Sequence, residues 1–338
     1  MKGVRAYHYA AAATAPVKQP FVARDLLSVR DFSPQEIEWL FELTRIVKNR
    51  PAEFRQALAG KQQVLFFEKA SLRTRLTFES AMAGLGGASI FVDQTQSRLD
   101  ERESLSDIAR NVERWADAVV LRTFEHQKVA ELAHHSSVPV INALSDLEHP
   151  CQAFADFFTL QEKFANLRQV RLAYVGDGNN VAHSLMLAGA STGSKVSIAT
   201  PAGYAPDPEI TAAALAIAKE TGAQLELMED PFQAASGADA VYTDVWTSMG
   251  QEEEAAERAG IFASYQVNEA LMAQAAPHAV FMHCLPAHRG EEVTASVLDS
   301  PRAVVFDQAE NRLHLQKAIL LLLLGSDIGH FPARSNHA

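Results

Sequence analysis

Cysteine is scarce in this sequence, with Cys151 and Cys284 the only two among 338 residues. Two cysteines cannot form the disulfide framework of a small secreted domain, so we expect a reducing, cytoplasmic environment. Metal-binding patterns are also missing, because neither CxxC nor HExxH occurs and the twelve histidines are scattered. The sequence therefore predicts no metal site.

Long apolar runs and an excess of basic residues are missing as well. The longest apolar run, residues 319–324, is far shorter than the roughly 20 residues that span a bilayer. The chain has 30 basic and 41 acidic residues, a formal net charge of -11 at pH 7. Such a surface repels nucleic acid and anionic membranes, so we predict neither as a partner. An anionic ligand must therefore bind a local cluster of arginines.

The first twenty residues contain no acidic side chain and are rich in alanine. They have no sustained apolar segment of the kind that a secretory signal needs. We expect residues 1–22 to form a disordered extension, with a cleaved targeting segment as the alternative.

The rest of the sequence alternates between short apolar runs and segments with helical spacing. This alternation predicts an α/β fold with two doubly wound domains, each built on a parallel sheet, and a boundary within residues 164–169. A last helix is predicted over residues 309–324. The predicted strands are residues 63–67, 118–121, 138–141, 171–175, 196–199, 240–243 and 280–283.

A serine, a threonine and two arginines follow the first predicted strand, at the start of a helix. The N–H groups of a helix N-terminus suit a phosphate, hydroxyls add donors, and an arginine can hold two phosphate oxygens. The alternative is a serine that caps the helix beside solvated arginines. The segment reads Ser71-Leu72-Arg73-Thr74-Arg75.

Three more candidates follow predicted strands, where parallel sheets bind ligands. Arg122 ends one strand, and His149 and Gln152 lie where a helix begins and can donate to a carbonyl oxygen. Cys284 can be a nucleophile, a polar contact or an inert core residue. A thiol protease would need a partner histidine, and strand alternation turns the adjacent His283 away from Cys284.

Two polar turns follow strands of the second half. The turn at residues 176–181 has two glycines of a dinucleotide fingerprint, but Val181 replaces the third, which disfavours nicotinamide binding. Its amides suit a polar ligand such as a carboxylate. Asp244 ends another strand and can pair with a ligand's ammonium group.

Together and in this order, these segments resemble the aspartate/ornithine transcarbamylase family, and within it the members that use ornithine. The resemblance covers about residues 32–324, and its specificity lies in the conjunction of short motifs. The motifs are Phe67-Glu68-Lys69, Ser71-x-Arg73-Thr74-Arg75, Arg122-Thr123-Phe124-Glu125-His126, His149-Pro150-Cys151-Gln152, Asp244-x-x-x-Ser248-Met249-Gly250, His283-Cys284-Leu285-Pro286 and Glu310-Asn311-Arg312.

The resemblance implies transfer of a carbamoyl group from carbamoyl phosphate to the δ-amine of L-ornithine, giving L-citrulline and phosphate without any cofactor. It also implies a carbamoyl phosphate domain at residues 23–164 and an ornithine domain at residues 165–308. Two interdomain helices join them, and the second, residues 309–325, returns to the first domain.

The resemblance assigns residues to each subsite. Arg122, His149 and Cys284 are the expected catalytic residues. Ornithine is expected at Asn180, Asp244, Ser248 and Met249. Carbamoyl phosphate is expected at Ser71, Leu72, Arg73, Thr74, Arg122, His149, Gln152, Cys284, Leu285 and Arg312.

The family also implies a homo-oligomer, a trimer or a multiple of trimers, with one loop reaching a neighbouring subunit's site. Arg98 stands in that loop, where the family usually has Gln, and Leu72 stands where it usually has Thr. The alternatives are a transcarbamylase for acetylornithine, succinylornithine, putrescine or aspartate, and a non-catalytic ligand-binding paralogue. The Ser248-Met249-Gly250 segment offers no basic residue for the second carboxylate of aspartate.

Overall fold

A computed structural model describes residues 22–94, 98–247 and 252–325. The expected extension therefore lies almost wholly outside the described residues, as do Ser248 and Met249. None of the described helices is long and apolar enough to cross a membrane.

The first half of the chain folds around a four-stranded sheet. All its paired strands are parallel, in the order β2-β1-β3-β4. The strands are β1 (Gln62–Phe67), β2 (Ala88–Asp93), β3 (Ala118–Arg122) and β4 (Val140–Leu144), and the helices are α1 (Pro34–Asn49), α2 (Leu72–Gly84), α3 (Leu105–Val112), α4 (His126–His135) and α5 (Pro150–Phe164).

The second half forms a five-stranded sheet, again with parallel pairs, in the order β7-β6-β5-β8-β9. The strands are β5 (Arg171–Val175), β6 (Lys195–Ala199), β7 (Gln224–Met228), β8 (Ala240–Thr243) and β9 (Val280–His283). The helices are α6 (Asn180–Thr192), α7 (Pro208–Thr221), α8 (Pro231–Ala235), α9 (Ala255–Phe262), α10 (Glu269–Met272), α11 (Ala295–Leu298) and α12 (Val305–Leu324).

Alternate residues of the central strands enter different hydrophobic cores, so both faces of each sheet are covered. In β1, Leu65 and Phe67 belong to one core, whereas Val64 and Phe66 pack with residues of α3 and α4. β5 divides its side chains between two cores in the same way. The predicted α/β class with two doubly wound parallel sheets is confirmed.

Two long helices join the halves. Every residue from Pro150 to Leu160 of α5 is buried, and α5 contacts both α6 and α12. After β9 the chain returns through α12, which packs against α1, α2 and α5. This return brings side chains of α12 into contact with the start of α2.

Strands β2 and β7 are missing from the sequence-based prediction. Each is the edge strand of its sheet, and each is partly exposed along its length. These two strands therefore lack the continuous apolar run that marks a strand buried on both faces, whereas the other two edge strands, β4 and β9, are largely buried. The last helix begins at Val305, four residues before its predicted start.

Candidate active site between the two sheets

The N-terminus of α2 follows β1 at the carboxyl edge of the first sheet. Ser71 caps the helix, because its Oγ accepts the N–H of Thr74 at 3.3 Å. Thr74 is buried, Arg73 is half-buried, and Leu72 is 72% exposed. Ser71 therefore does cap the helix, as the alternative interpretation expects. The cap does not prevent Thr74 from joining the site, because Thr74 contacts Arg312.

Arg122 ends β3 beside the last residue of β1, Phe67, its partner in the parallel register. Its side chain is buried, and its Nε has no hydrogen-bond partner among the described residues. Burial, followed by the charge of Arg312, lowers the pKa of Arg122 to about 9. Arg122 is therefore still a cation at neutral pH.

Arg312 of α12 connects the first turns of α5 and α2. Its Nη1 donates to Gln152 Oε1, and its Nη2 donates to Thr74 Oγ1 at 3.3 Å. Burial, followed by the charges of Arg312 and Arg122, lowers the pKa of His149 well below its ordinary value. His149 is therefore neutral at physiological pH.

Three buried nitrogens in this cluster have no partner among the described residues: Arg122 Nε, His149 Nδ1 and Arg312 Nε. A buried polar group without a partner costs about 1–3 kcal/mol. Most such groups in native proteins are paired, so three together indicate a ligand that supplies acceptors. The cluster has the charge and the donors to bind a phosphate.

The second sheet contributes an aspartate and a cysteine at neighbouring strand ends. The Cys284 thiol donates to Asp244 Oδ1 at 3.0 Å, and Asn179 Nδ2 donates to Asp244 Oδ2 at 2.9 Å. Burial, followed by the charge of Asp244, raises the pKa of Cys284 well above its ordinary value. Cys284 is a thiol at neutral pH, which disfavours the thiol-protease alternative because that chemistry needs a thiolate.

His283 lies closer to Cys284 than strand alternation predicts. A ring nitrogen of His283, the Cys284 Sγ and an Asp244 carboxylate oxygen all lie within 4.8 Å of one another. The chain turns directly after β9, where Leu285 has φ 59° and donates its N–H to His283 Nδ1 at 2.8 Å. A non-glycine residue in this left-handed region indicates a backbone held by its surroundings.

The glycine-containing turn after β5 is filled by the chain itself. A Cβ on Gly178 would lie 2.4 Å from the backbone nitrogen of Pro206, so this position admits only glycine. Asn180 starts α6, and its amide donates to the Ser145 carbonyl at 2.6 Å. Asn180 thus lies at the interface of the two halves, facing the loop before α5.

Arg98 does not join the cluster of buried arginines. Its side chain is 74% exposed, and its Nη1 lies 3.7 Å from a carboxylate oxygen of Glu125. Ser248 and Met249 lie outside the described residues. Among the predicted residues, the structure brings Thr74, Gln152 and Arg312 into direct contact, and it likewise pairs Asp244 with Cys284.

Asn179 and Arg258 contribute to the site but were not predicted from the sequence. Asn179 donates a hydrogen bond to Asp244. The two residues meet because they follow β5 and β8, which are neighbours in the sheet. Arg258 binds the Asp177 carboxylate and donates its Nε to the Trp246 carbonyl, just before the predicted Ser248-Met249 segment. A paired asparagine after a strand was the available signal for Asn179.

Comparison with known proteins identifies the family of this chain. Family models match residues 24–162, described as the carbamoyl-P binding domain of aspartate/ornithine carbamoyltransferase, and residues 168–323, described as its Asp/Orn binding domain. The chain belongs to the aspartate/ornithine carbamoyltransferase family. The predicted family is confirmed.

Individual members of the family are similar over most of the chain. An ornithine carbamoyltransferase of Pyrococcus abyssi is 50% identical over 304 residues, which cover 89% of this chain and 96% of that protein. The anabolic ornithine carbamoyltransferase of Pyrococcus furiosus is 49% identical over 304 residues, with the same coverage. A solved ornithine carbamoyltransferase from Pyrococcus furiosus has a TM-score of 0.88 at 48% identity, covering 91% of this chain and 99% of that one.

The family's two domains match the two halves of the site. Arg122 and His149 follow strands of the carbamoyl-P binding domain, whereas Asp244 and Cys284 follow strands of the Asp/Orn binding domain. Arg312 belongs to the residues matched by the second domain but contacts Gln152 and Thr74 of the first. In each sheet the site flanks the point where the strand order reverses, between β1 and β3 and between β5 and β8. Ligands of open α/β sheets bind at such switch points.

Proposed function

We propose that this chain transfers the carbamoyl group of carbamoyl phosphate to the δ-amine of L-ornithine, releasing L-citrulline and phosphate. The observation that carries the proposal is the set of three buried nitrogens on Arg122, His149 and Arg312 for which the described part of the chain offers no partner, together with the Asp244–Cys284 pair. The names of the similar proteins support ornithine as the acceptor, and the one named anabolic supports a role in arginine biosynthesis.

Carbamoyl phosphate binds at the first sheet in this proposal. The N-terminus of α2, with Ser71, the Leu72 N–H, Arg73 and Thr74, holds the phosphate. Donors around it hold the remaining phosphate oxygens and the carbamoyl oxygen. These donors are Arg122, His149, Gln152 and Arg312, with Cys284 and Leu285 on the side of the second sheet.

Ornithine binds at the second sheet. Asp244 pairs with the α-ammonium group, and Asn180 donates to the α-carboxylate after releasing the Ser145 carbonyl. Ser248 and Met249 complete this subsite. Cys284, beside Asp244, then lies next to the reacting δ-amine.

The reaction needs no covalent enzyme intermediate. The neutral δ-amine attacks the carbamoyl carbon and a C–N bond forms. The tetrahedral intermediate then collapses as the bond between the carbamoyl carbon and the bridging oxygen breaks, and the departing phosphate takes the proton that the amine nitrogen loses. Preorganised donors on Arg122, His149 and Thr74 stabilise the developing oxyanion, and holding both substrates in one crevice removes much of the entropic barrier.

We also propose a homo-oligomer, a trimer or a multiple of trimers, in the cytoplasm. Two observations support a further subunit beside α2. Leu72 and Leu76, one helical turn apart, are 72% and 51% exposed, and the Arg98 side chain extends into solvent. In this assembly Arg98 reaches the neighbouring subunit's carbamoyl phosphate.

A citrulline colour assay on the purified chain tests the function, with carbamoyl phosphate and four amines. We expect ornithine to react far better than acetylornithine, putrescine or aspartate. Putrescine lacks both the α-ammonium group that Asp244 would pair with and the α-carboxylate that Asn180 would bind, so it loses both contacts. Equal kcat/KM for putrescine and ornithine would refute the assigned ornithine subsite. Absence of product with all four amines would refute the proposed carbamoyl transfer activity.

A further inference from the structure

Asp156 is a fully buried carboxylate in the middle of α5, and the proposed mechanism does not use it. It accepts hydrogen bonds from three elements. Gln152 Nε2 of α5 and Gln308 Nε2 of α12 each donate to Oδ1 at 2.8 Å, and the Tyr242 hydroxyl of β8 donates to Oδ2 at 3.0 Å. A carboxylate accepts several hydrogen bonds at once, so it can join all three.

The bond to Gln152 orients the carbamoyl phosphate side of the site. An amide has a donor end and an acceptor end, and Asp156 takes a hydrogen from the donor end of Gln152. The acceptor end must then face Arg312, whose Nη1 donates to it. Asp156 thereby fixes the amide of Gln152, and Gln152 in turn fixes the guanidinium of Arg312.

The other two bonds lead to the ornithine side. Gln308, whose amide nitrogen binds Asp156, accepts the backbone N–H of His283 at 3.1 Å, one residue before Cys284. Tyr242 lies two residues before Asp244 on β8. The ends of β8 and β9, which carry the Asp244–Cys284 pair, are therefore both tied to one carboxylate.

The ionisation of Asp156 depends on both its burial and its hydrogen-bond donors. Burial raises the pKa of Asp156 to about 7, while its three donors and the charge of Arg312 favour the ionised form. Buried polar networks of this kind have few alternative arrangements, because an unpaired member is costly. A change in one bond of the network would therefore leave a buried group unpaired unless its neighbours also rearrange.

We propose that Asp156 is a positioning residue that couples the carbamoyl phosphate subsite to the ornithine subsite. The inference rests on the proposed function, since it assumes that these two ligands bind at these two sheets. Occupation of Arg312 and Gln152 by carbamoyl phosphate fixes Asp156, which fixes Tyr242 and Gln308 and so prepares the Asp244–Cys284 pair for ornithine. Coupling of this kind is reciprocal between the two ligands.

The test compares binding of L-norvaline, an ornithine analogue without the δ-amine, in the presence and absence of carbamoyl phosphate. Norvaline cannot be carbamoylated at the δ position, so calorimetry measures binding alone. We expect carbamoyl phosphate to tighten norvaline binding at least tenfold in the wild-type chain and less than threefold in Asp156→Asn. Each ligand should still bind Asp156→Asn by itself.

The matched control is Thr159→Val, one turn along the same helix. Thr159 is equally buried and also joins α5 to α12, because its Oγ1 accepts Asn311 Nδ2 at 2.9 Å, but it contacts neither subsite. Thr159→Val should lower the melting temperature and keep the wild-type coupling factor. A purely structural role of Asp156 predicts instead that both variants behave alike.

Tyr242→Phe tests the inference should Asp156→Asn not fold, because it removes the β8 bond alone. We expect its KM for ornithine to rise three- to tenfold, its KM for carbamoyl phosphate to stay within twofold, and its coupling factor to fall. The inference would be overturned if a folded Asp156→Asn or Tyr242→Phe variant kept the wild-type coupling factor. It would also be overturned if an active wild-type chain showed no coupling. A wild-type chain that makes no citrulline overturns the proposed function instead.

Discussion

The thiol of Cys284 donates to the carboxylate of Asp244 across 3.0 Å, between the ends of two neighbouring strands of the second sheet. The two residues are forty positions apart in the sequence. Burial and, after it, this contact raise the pKa of Cys284 and keep it protonated, while the other Asp244 oxygen accepts a hydrogen bond from Asn179. The proposed ornithine subsite therefore contains a neutral thiol, Cys284, beside the carboxylate of Asp244.

Replacing Asp244 should change both ornithine use and the chemistry of the thiol. Asp244→Asn removes the charge that pairs with the α-ammonium group, so we expect kcat/KM for ornithine to fall about 100-fold or more. The same loss lowers the pKa of Cys284, so iodoacetamide should alkylate the variant faster at pH 8. Cys151 does not interfere, because it is fully buried and burial raises its pKa to about 12.

Asp299→Asn is the control for this experiment, because Asp299 pairs with Arg289 at the surface. It should leave both kcat/KM and the alkylation rate unchanged. An Asp244→Asn protein with the wild-type alkylation rate would contradict the assigned contact.

Arg73 and Arg75 lie on the same helix and should differ in function. Arg73→Ala removes a charged fork from the phosphate, at about 1.5–3 kcal/mol per bond, so two lost bonds lower kcat/KM about 100-fold or more. Arg75 is exposed and pairs with Glu79 at 3.0 Å, so Arg75→Ala should retain activity within twofold. Steady-state kinetics with circular dichroism as a folding check decides the prediction. Near-normal activity of Arg73→Ala would mean that this segment does not bind the phosphate and that Ser71 only caps the helix.

Activity should rise with pH because the neutral δ-amine is the nucleophile. A lysine-like amine has a reference pKa of about 10.4, so its neutral fraction grows about tenfold per pH unit below that value. We expect log kcat/KM for ornithine to rise with a slope near one between about pH 7.5 and 8.5, above the pKa of Asp156 at about 7 and below that of Arg122 at about 9. The raised pKa of Cys284 predicts no titration of the thiol in this range. A flat profile would mean that the protonated amine binds productively.

A buried ion pair should stabilise the loop that carries Arg98. Lys128 lies between Glu68 at 3.1 Å and Asp100 at 2.7 Å, and Glu68 also accepts the N–H of Leu99 at 2.9 Å. Although burial by itself lowers the pKa of Lys128, its bonds to Asp100 and Glu68 raise it above the ordinary value. Lys128→Met leaves Glu68 buried without its cation and should cost about 3 kcal/mol of unfolding free energy in denaturant titrations.

The matched control is Lys61→Met at the partly exposed pair with Asp117. We expect it to cost less than about 1 kcal/mol, because exposed pairs contribute little. Equal losses in the two lysine variants would show that burial of the Lys128 pair does not matter.

Subunits that lack different parts of the site should complement each other. Arg98→Ala and Arg312→Ala should each be inactive, the first because it removes the donated side chain and the second because it removes the buried guanidinium. After reversible dissociation and random mixing, roughly a quarter of the sites regain both wild-type residues. Citrulline production should therefore reappear. Full activity of Arg98→Ala alone contradicts the prediction. So does a mixture that stays inactive after subunit exchange has been demonstrated.

Local patterns in the sequence were enough to predict the class of fold and to single out several candidate site residues. Strands buried on both faces give continuous apolar runs, as at β5, β8 and β9, whose predicted and observed bounds coincide. Polar residues directly after such strands must meet at one edge of a parallel sheet, which identified Arg122 and Asp244 as candidates. The family resemblance then added Arg312, which no local pattern near the strand ends indicates.

The tertiary structure alone decided which of these residues touch. Arg312 reaches Thr74 across 238 positions in the sequence, and Asp156 meets side chains from three separate elements. It also decided that Arg98 points into solvent and that the edge strands β2 and β7 form at all. The physical reason is that burial periodicity is a property of a short segment, whereas hydrogen bonding between distant side chains depends on how helices and strand ends are placed in three dimensions.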